Sequence, residues 1–287
     1  GDGLITIRET DRMLVLSCEQ FTYVFNKLTG LFDKMTFANE PLLDQPMGFN
    51  VWRAPTDNDR KLKADWYAAH YDHAATNAYH TEYTVTASGV TLHTHVGIAA
   101  ICVQKFLDLD VTWTVANNGS VDLALHAQRN TVFPELPRFG LRLFLPQEMS
   151  QVNYYGMGPM ECYCDKHHAA SHNSYTATVW QLHEDYIRPQ ENGSHFDCDY
   201  VMLAGDAVRL TAVGTQPFSF NASHYTQEEL TRKAHNYELE PCGSTVLCLD
   251  YAQNGIGSES CGPRLLEQYR LDDATFNFGL RLFPEKK

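Results

Sequence analysis

Apolar and polar residues alternate along most of the chain. In residues 107–115 every second residue is apolar, and each residue in between is Asp or Thr. A period of two places successive side chains on opposite faces of a strand, so this segment is predicted to have one buried and one solvated face. Residues 117–120 (Asn-Asn-Gly-Ser) then favour a turn, and the alternation resumes in 121–125. We therefore predict an antiparallel hairpin over 107–126.

The same period recurs in residues 83–87 and 90–95, on either side of Ser88-Gly89, and in 139–145 and 276–282. Many short strands separated by turns are typical of an all-β sandwich of antiparallel strands. No internal repeat divides the sequence, and no stretch rich in Gly, Ser or Pro is long enough to act as a linker. We expect residues 1–287 to form a single domain.

Two short segments have helical patterns. Thr226 followed by Glu229 matches a capping box, and good helix formers follow in 230–234, which predicts a helix of two or three turns. Residues 57–75 place Leu62, Trp66 and Ala69 on roughly one face, which indicates a second short helix. Both are expected to be additions to a β framework.

The charge balance excludes some classes of partner. The chain has 35 Asp and Glu against 22 Lys and Arg, a net charge of -13, so it repels phosphate backbones and anionic membranes. The longest apolar stretch, residues 96–103, is far shorter than the ~20 residues of a membrane-spanning helix. We expect no nucleic acid partner, no membrane partner and a cytoplasmic location.

Cysteine and glycine patterns give no cofactor site. Eight cysteines are few for a disulfide scaffold in a chain of 287 residues, so reduced thiols are expected. Cys162-x-Cys164 followed by His167-His168 does not have the ligand spacing of structural zinc, which predicts no metal. Gly255-x-Gly257 lacks the third glycine and the following helix of a dinucleotide fingerprint. We expect no cofactor in this chain.

Three segments predicted to be long loops are rich in polar residues and glycine, and the first of them also carries two tyrosines: 153–159, 188–193 and 254–263. Flat aromatic faces beside amide and carboxylate groups suit sugar rings, which have apolar faces and hydroxyl rims. They also suit contacts between domains, and the residues alone leave both options open. Asp57 and Asp59 are a possible pair of glycosidase carboxylates, but directly after Pro55-Thr56 they are more simply a turn and helix cap.

Five segments, three of them within these loops, are similar to one family in both sequence and order. In that order they resemble the C-terminal small-chain domain (domain 5) of β-galactosidases of glycoside hydrolase family 2. The segments are 52–60 (Trp-Arg-Ala-Pro-Thr-Asp-Asn-Asp-Arg), 154–159 (Tyr-Tyr-Gly-Met-Gly-Pro), 189–193 (Pro-Gln-Glu-Asn-Gly), 220–225 (Phe-Asn-Ala-Ser-His-Tyr) and 255–263 (Gly-Ile-Gly-Ser-Glu-Ser-Cys-Gly-Pro). The resemblance implies an antiparallel supersandwich, the fold also seen in galactose mutarotases.

The resemblance also implies a function within a larger enzyme. Such enzymes hydrolyse terminal β-D-galactose, as in lactose, with retention, and their catalytic glutamates lie on an upstream (β/α)8 barrel. A barrel needs about 250 residues of its own, and this sequence shows no strand–helix alternation. We therefore expect no catalytic residue here and no activity of the isolated chain. Because it begins at Gly1, we expect either an excised fragment or a separate small subunit.

The resemblance assigns roles to particular residues. Glu259, Ser260 and Cys261 are expected to line the galactose pocket, where some members carry Trp at the position of Cys261; a buried Cys in a Gly-rich turn is the alternative. Loop-holding or interdomain roles are expected for Arg53, Asp57, Asn58, Asp59, Tyr155, Glu191 and Asn192, since the planar guanidinium fork of Arg matches carboxylate acceptors.

The expected partners are a galactoside shared with the catalytic barrel, the remaining domains or a large subunit, and further copies in a homo-oligomer. The sequence departs from the family pattern at Cys162 and Lys166, where the family has Asn and Arg. Two alternatives stay open: a stand-alone mutarotase-like sugar epimerase, which would use a His acid and a Glu base, and a carbohydrate-binding module.

Overall fold

The computed structural model describes residues 3–257 and 262–287. Seventeen strands make up most of this part of the chain. Their bounds are β1 Thr6–Glu9, β2 Met13–Ser17, β3 Phe21–Asn26, β4 Leu31–Phe37, β5 Glu40–Pro41, β6 Gln45–Asn50, β7 Ala75–Thr86, β8 Gly89–Ala99, β9 Leu107–Ala116, β10 Val121–Arg129, β11 Arg138–Pro146, β12 Gln151–Gly158, β13 Ser171–Thr178, β14 His195–Ala204, β15 Val208–Ser223, β16 Ser244–Gln253 and β17 Thr275–Lys286.

The strands form two sheets in which every pair is antiparallel. The smaller sheet has five strands in the order β1-β2-β3-β4-β5. The larger has twelve, in the order β13-β12-β14-β15-β17-β10-β9-β8-β7, with β16 pairing β15 and β11, and β6 on the far side of β11. The prediction of an all-β, antiparallel fold is confirmed.

The two sheets share one hydrophobic core. Trp113 of β9 is fully buried; its ring meets Phe32 of β4 edge-on at 5.2 Å, and its Nε1 donates to the Gly30 carbonyl over 2.9 Å. Tyr23 of β3 donates from its hydroxyl to the Gly119 carbonyl over 2.6 Å. Each large aromatic ring thus fills the interface between sheets while its polar atom is satisfied.

The predicted hairpin is confirmed in its register. Leu123 of β10 lies opposite Trp113 of β9, and the apolar positions of both strands are buried. The turn closes with Asn118 Oδ1 accepting from the Ser120 N–H over 3.0 Å. Gly119 has a φ of +89°, a conformation that favours glycine.

Within the described residues there are two α-helices, α1 Leu62–Ala68 and α2 Gln227–Arg232, and both are shorter than the sequence predicts. Short 3₁₀ turns, Asp57–Arg60 and Tyr71–His73, flank α1, whose buried side chains are Leu62 and Trp66. The left-handed backbone of His70, with a φ of 57°, separates α1 from the second 3₁₀ turn.

The second helix begins as predicted and ends early. Thr226 Oγ1 accepts from the Glu229 N–H over 3.1 Å, which is one half of the predicted capping box; the Glu229 carboxylate pairs with Arg232 and Lys233 instead. At the other end the N–H groups of Ala234 and His235 both donate to Glu238 Oε2, over 3.1 and 2.9 Å. A longer helix would bond these groups to its own carbonyls, so the Glu238 carboxylate competes with continuation.

Strand β11 carries polar side chains into the interior of the protein, because both of its faces are buried. Phe139, Leu141 and Leu143 belong to the shared core. On the other face Arg138 bonds carboxylates, and Arg142 donates to Gln227 Oε1 of α2 over 3.0 Å. This second face is covered by loops and by α2, and the candidate site lies in those loops.

Candidate functional site

Arg53 joins two of the loops that resemble the family motifs. Its side chain is fully buried, with Nε and Nη2 bonding the Asp59 carboxylate over 3.2 and 2.7 Å. Nη2 also donates to the Gly255 carbonyl over 3.1 Å, and Nη1 donates to the Asn254 carbonyl. Trp66 lies 5.2 Å below the guanidinium carbon. The cation therefore ties residues 254–255 to the 52–60 segment.

Two further side chains fix the same loop. Asn58 Nδ2 donates to the Ile256 carbonyl over 2.8 Å, and the Ile256 N–H donates to Asp165 Oδ1 over 3.0 Å. Asp165 Oδ2 is buried without a hydrogen-bond partner within the described residues. A Cβ at either Gly255 or Gly257 would lie 2.7 Å from that oxygen. The glycines thus permit a close approach of the backbone to Asp165.

Glu191 connects the 52–60 segment to the sheet. Its Oε2 accepts from the Ala54 N–H over 3.1 Å, and its own N–H donates to the Ala54 carbonyl over 3.0 Å. Its Oε1 accepts from Arg138 Nη1 over 2.6 Å. Glu191 is thus bonded on one side to the loop and on the other to β11.

Arg138 is the centre of a buried ionic cluster. Beyond Glu191, its Nη2 donates to Asp250 Oδ2 over 2.6 Å and to Asn221 Oδ1 over 2.5 Å. Burial raises the pKa of Asp250 to about 6, against the opposing effect of Arg138. Burial also disfavours the charged guanidinium, but Asp250 and Glu191 hold the pKa of Arg138 above its usual value. None of these charged groups is exposed to solvent, so each needs a partner within the protein. Through Glu191, which bonds Ala54, the cluster also supports the 52–60 segment.

Neighbouring side chains hold the 184–193 loop. Asn192 Oδ1 accepts from the Glu184 N–H over 3.0 Å, and its Nδ2 donates to the Gln190 carbonyl over 2.9 Å. Glu161 accepts from the Tyr186 hydroxyl through Oε1 and from the Gly193 N–H, over 2.9 Å, through Oε2. Burial, with the carboxylate of Glu161, raises the pKa of Tyr186.

These loops enclose a cleft of about 540 Å³, which we call the loop cleft. Its walls carry carboxylate, amide, hydroxyl and ammonium groups, the set that hydrogen-bonds polyhydroxylated ligands. Through Asp165 and Lys166 it adjoins a second cleft of about 470 Å³. The lining residues of the loop cleft are Thr56, Asp57, Asn58, Asp165, Lys166, Tyr186, Gln190, Ile256 and Gly257.

The structure brings most of the residues named from the sequence together. Arg53, Asn58, Asp59, Glu191 and Asn192 are in the network described above. The Asp57 side chain is exposed at the cleft, and the Asp57 backbone N–H donates to Gln190 Oε1 over 3.4 Å. Arg53 bonds the carboxylate of Asp59 and not that of Asp57. Tyr155 is elsewhere, on β12, against His172 at 4.6 Å and Tyr200 at 6.4 Å. Glu259, Ser260 and Cys261 lie outside the described residues.

Several residues of the network were not named from the sequence: Arg138, Asp250, Asn221, Glu161 and Asp165. No pattern in the sequence assigned a role to Asp165, because its contact with Ile256 joins residues 91 positions apart. Asn221 lies in the 220–225 segment but was given no role, and Arg138, Asp250 and Glu161 are isolated polar residues that carry no motif of their own.

Across residues 3–257 and 262–287, no three His, Cys, Asp or Glu side chains are grouped as metal ligands would be. The seven cysteines in those ranges are all free. None of the helices described above is long and apolar enough to cross a membrane.

Comparison with known proteins gives concordant results. The family model for the beta galactosidase small chain matches residues 17–282. The chain is 43% identical to the β-galactosidase of Actinobacillus pleuropneumoniae over 93% of its own length and 26% of that protein. It is 37% identical to the β-galactosidase of Staphylococcus xylosus over 97% of its own length and 28% of that protein. It therefore spans about a quarter of the length of these relatives.

A solved structure shows the same fold. The galactose 1-epimerase of Lactobacillus acidophilus NCFM superposes with a TM-score of 0.52 at 9% identity, covering 99% of both chains. At this identity the similarity shows the fold alone. The predicted galactose mutarotase-like supersandwich is confirmed.

Proposed function

The chain belongs to the beta galactosidase small chain family, and from this premise we propose that it is the C-terminal accessory region of a larger, retaining β-galactosidase. In this proposal it lines part of the galactose pocket and forms contacts with the other domains or with a large subunit. The substrate is a terminal β-D-galactoside such as lactose. The assembled enzyme is a homo-oligomer that acts in the cytoplasm.

The main support for this proposal is the set of hydrogen bonds that hold the 254–257 loop in place. Four groups from other parts of the chain hold this loop: the Arg53 guanidinium, the Asn58 amide, the Asp165 carboxylate and the Tyr269 carbonyl, which accepts from the Gly255 N–H over 2.8 Å. Burying a charged guanidinium costs free energy, and the bonds that Arg53 makes to Asp59 and to the loop carbonyls offset this cost only while the loop keeps this conformation. Support for a role in substrate contact comes from the adjacent loop cleft and from the family to which the chain belongs.

Glu259, Ser260 and Cys261 begin two positions after this loop in the sequence. We propose that they contact galactose in the assembled enzyme. The acid/base and nucleophile carboxylates come from the catalytic part of the larger protein, so the role of this chain is to shape the pocket. The isolated chain is then inactive towards galactosides.

A replacement enzyme tests the proposal. The region of the A. pleuropneumoniae β-galactosidase that matches this chain is removed, and residues 1–287 are fused in its place. We expect the truncated relative to have little activity on an aryl β-galactoside and the replacement enzyme to regain most of it. Failure to regain activity by a soluble replacement enzyme with a native-like thermal transition would contradict the proposal.

The isolated chain provides the second arm. We expect no aryl galactoside hydrolysis and no acceleration of α-galactose mutarotation measured by polarimetry. Turnover that follows the chain through each purification step would refute the accessory role. Accelerated mutarotation would favour the epimerase alternative, and submillimolar galactose affinity of the isolated chain would favour a binding module.

A further inference from the structure

A second groove adjoins the loop cleft. Its volume is about 700 Å³, and it shares Thr56, Asp57 and Gln190 with the loop cleft. Three separate segments form its walls: residues 55–67, 188–190 and 230–234. Because the two spaces meet at shared residues, whatever occupies this groove lies next to the proposed sugar-facing surface.

The charge of this groove is opposite to that of the chain. Five of its fourteen lining residues are basic: Arg60, Lys63, Arg188, Arg232 and Lys233; Asp57 is the one acidic residue. In the whole chain 22 of 287 residues are Lys or Arg and 35 are Asp or Glu. We call this surface the basic groove.

Three of the five cations lack a counterion within the described residues. Arg232 and Lys233 both pair with Glu229, over 2.7 and 3.2 Å. Arg60, Lys63 and Arg188 form no ion pair there; Arg60 and Arg188 are exposed, and Lys63 is half-buried. Like charges around one groove repel each other. The chain has 35 acidic residues, yet these three cations are not paired with any of them in the part of the chain that the structure describes. The arrangement indicates that negative charge comes from outside.

The size and lining of the groove favour an extended occupant. A single phosphate ion would fill only a small part of 700 Å³. Tyr67, which is 39% exposed, and the half-buried Pro55 lie among the cations and offer apolar contact. A polypeptide that carries several carboxylates can use such contact, and an inorganic ion cannot. Such complementarity steers association and fixes the orientation of the partner.

We propose that the basic groove binds an acidic stretch of polypeptide from the catalytic part of the larger β-galactosidase. The identity of this partner rests on the proposed function, whereas the chemistry of the groove rests on the residues above. Docking at this position would orient the loop cleft towards the catalytic part, because both spaces share one wall.

The test uses a fluorescein-labelled octapeptide of Glu and Gly, with a Gln and Gly peptide as control, and measures fluorescence anisotropy with the chain. We expect saturable binding of the acidic peptide, weakened by salt. The double variant Lys63→Glu with Arg188→Glu should lose about tenfold or more in affinity. The matched control, Arg8→Glu with Lys34→Glu, changes two exposed residues of the small sheet by the same charge and should lose less than about twofold.

Each contrary outcome overturns the inference. Equal losses in both double variants would mean that only the net charge of the chain matters. Displacement of the peptide by low millimolar inorganic phosphate, with saturable phosphate binding, would identify a small-anion site instead. No peptide binding by a chain with an unchanged thermal transition would also overturn it. If the replacement enzyme is nevertheless active, the proposed function survives and this inference alone fails.

Discussion

Arg53 and Arg281 bond aspartates with the same fork geometry but differ in burial. Arg53 bonds Asp59 over 3.2 and 2.7 Å and is fully buried, whereas Arg281 bonds Asp122 over 2.7 and 2.9 Å and is 60% exposed. Only Arg53 also donates to loop carbonyls. Comparing the two therefore separates the effect of the bidentate bond, which they share, from the joint effect of burial and of the bonds to loop carbonyls, which only Arg53 has.

We expect Arg53→Lys to lower the free energy of unfolding by about 3 kcal/mol, because an ammonium cannot replace the fork and buried acceptors lose their donors. Arg281→Lys should cost less than about 1 kcal/mol, since water replaces the lost bonds. Urea unfolding followed by fluorescence measures both. Equal losses would show that Arg53 is not a buried anchor.

His195 gives a dependence of stability on pH. Its imidazole is buried between Tyr154 and Phe220, its Nδ1–H donates to the Met157 carbonyl over 3.0 Å, and burial lowers its pKa from 6.5 to about 4. Between pH 6.5 and 4 the unfolded chain binds a proton that the folded chain does not. The free energy of unfolding therefore falls as pH decreases through this window, by at most about 1.4 kcal/mol per pH unit from this residue.

We expect His195→Gln to reduce that slope, whatever its effect on absolute stability, because glutamine does not titrate. The matched control is His126→Gln, at an exposed histidine that bonds Asn277. Denaturant unfolding between pH 4 and 7 measures the slopes. If His195→Gln and the unsubstituted chain lose stability in parallel, His195 is protonated in the folded protein and this account of it is wrong.

At the scale of elements, the 254–257 loop depends on side chains far away in sequence. We expect Asn58→Ala to accelerate hydrogen exchange of the Ile256 amide about fivefold, because a hydrogen bond of about 1 kcal/mol that holds the loop is lost. Asn117→Ala is the control, since Asn117 holds another turn by donating to the Ala87 carbonyl over 2.8 Å. Accelerated exchange at Ile256 in the control, or unchanged exchange in Asn58→Ala, would contradict the role of Asn58.

The start of α2 rests on a single hydroxyl. Thr226→Ala should lower the free energy of unfolding by about 1 kcal/mol, because the Glu229 N–H loses its acceptor. Thr226→Ser keeps the oxygen and should recover most of the loss. Thermal and urea unfolding of both variants measure this; a Ser variant as unstable as the Ala variant would assign the effect to the lost methyl group instead.

Elements with local causes could be predicted from the sequence, and those with distant causes could not. The β9–β10 hairpin and the Thr226 cap depend on residues only a few positions apart. The end of α2 depends on Glu238 competing for its N–H groups, which no helical period reveals. Strand β11 looked half-solvated from its alternation, but Arg138 and Arg142 on its second face are covered by loops and by α2.

The same distinction holds for the candidate site. Arg53, Asn58 and Glu191 were identified because they lie in motifs that resemble the family. Their supports were missed because Arg138 meets Asp250 from 112 positions away, and Asp165 meets Ile256 from 91. Only the pairing of β11 with β16, and the loops folded over it, bring these groups together.

At the scale of the whole molecule, the chain is a fraction of what its relatives contain. It spans 26% of the A. pleuropneumoniae β-galactosidase and 28% of the S. xylosus protein. The fold supplies a rigid sheet, a buried ionic cluster that supports the loops, and two adjoining spaces, one with sugar-compatible polar groups and one with unpaired cations. This combination fits a region that completes a site shared with other parts of an enzyme.

The structure of the replacement enzyme with galactose bound is the most direct test of this account. We predict that residues 256–262 contributed by this chain contact the sugar, with heavy atoms within about 4 Å, and that both catalytic carboxylates come from the A. pleuropneumoniae part. A galactose pocket formed without any residue of this chain, or one in which a carboxylate of this chain attacks the anomeric carbon, would contradict the account.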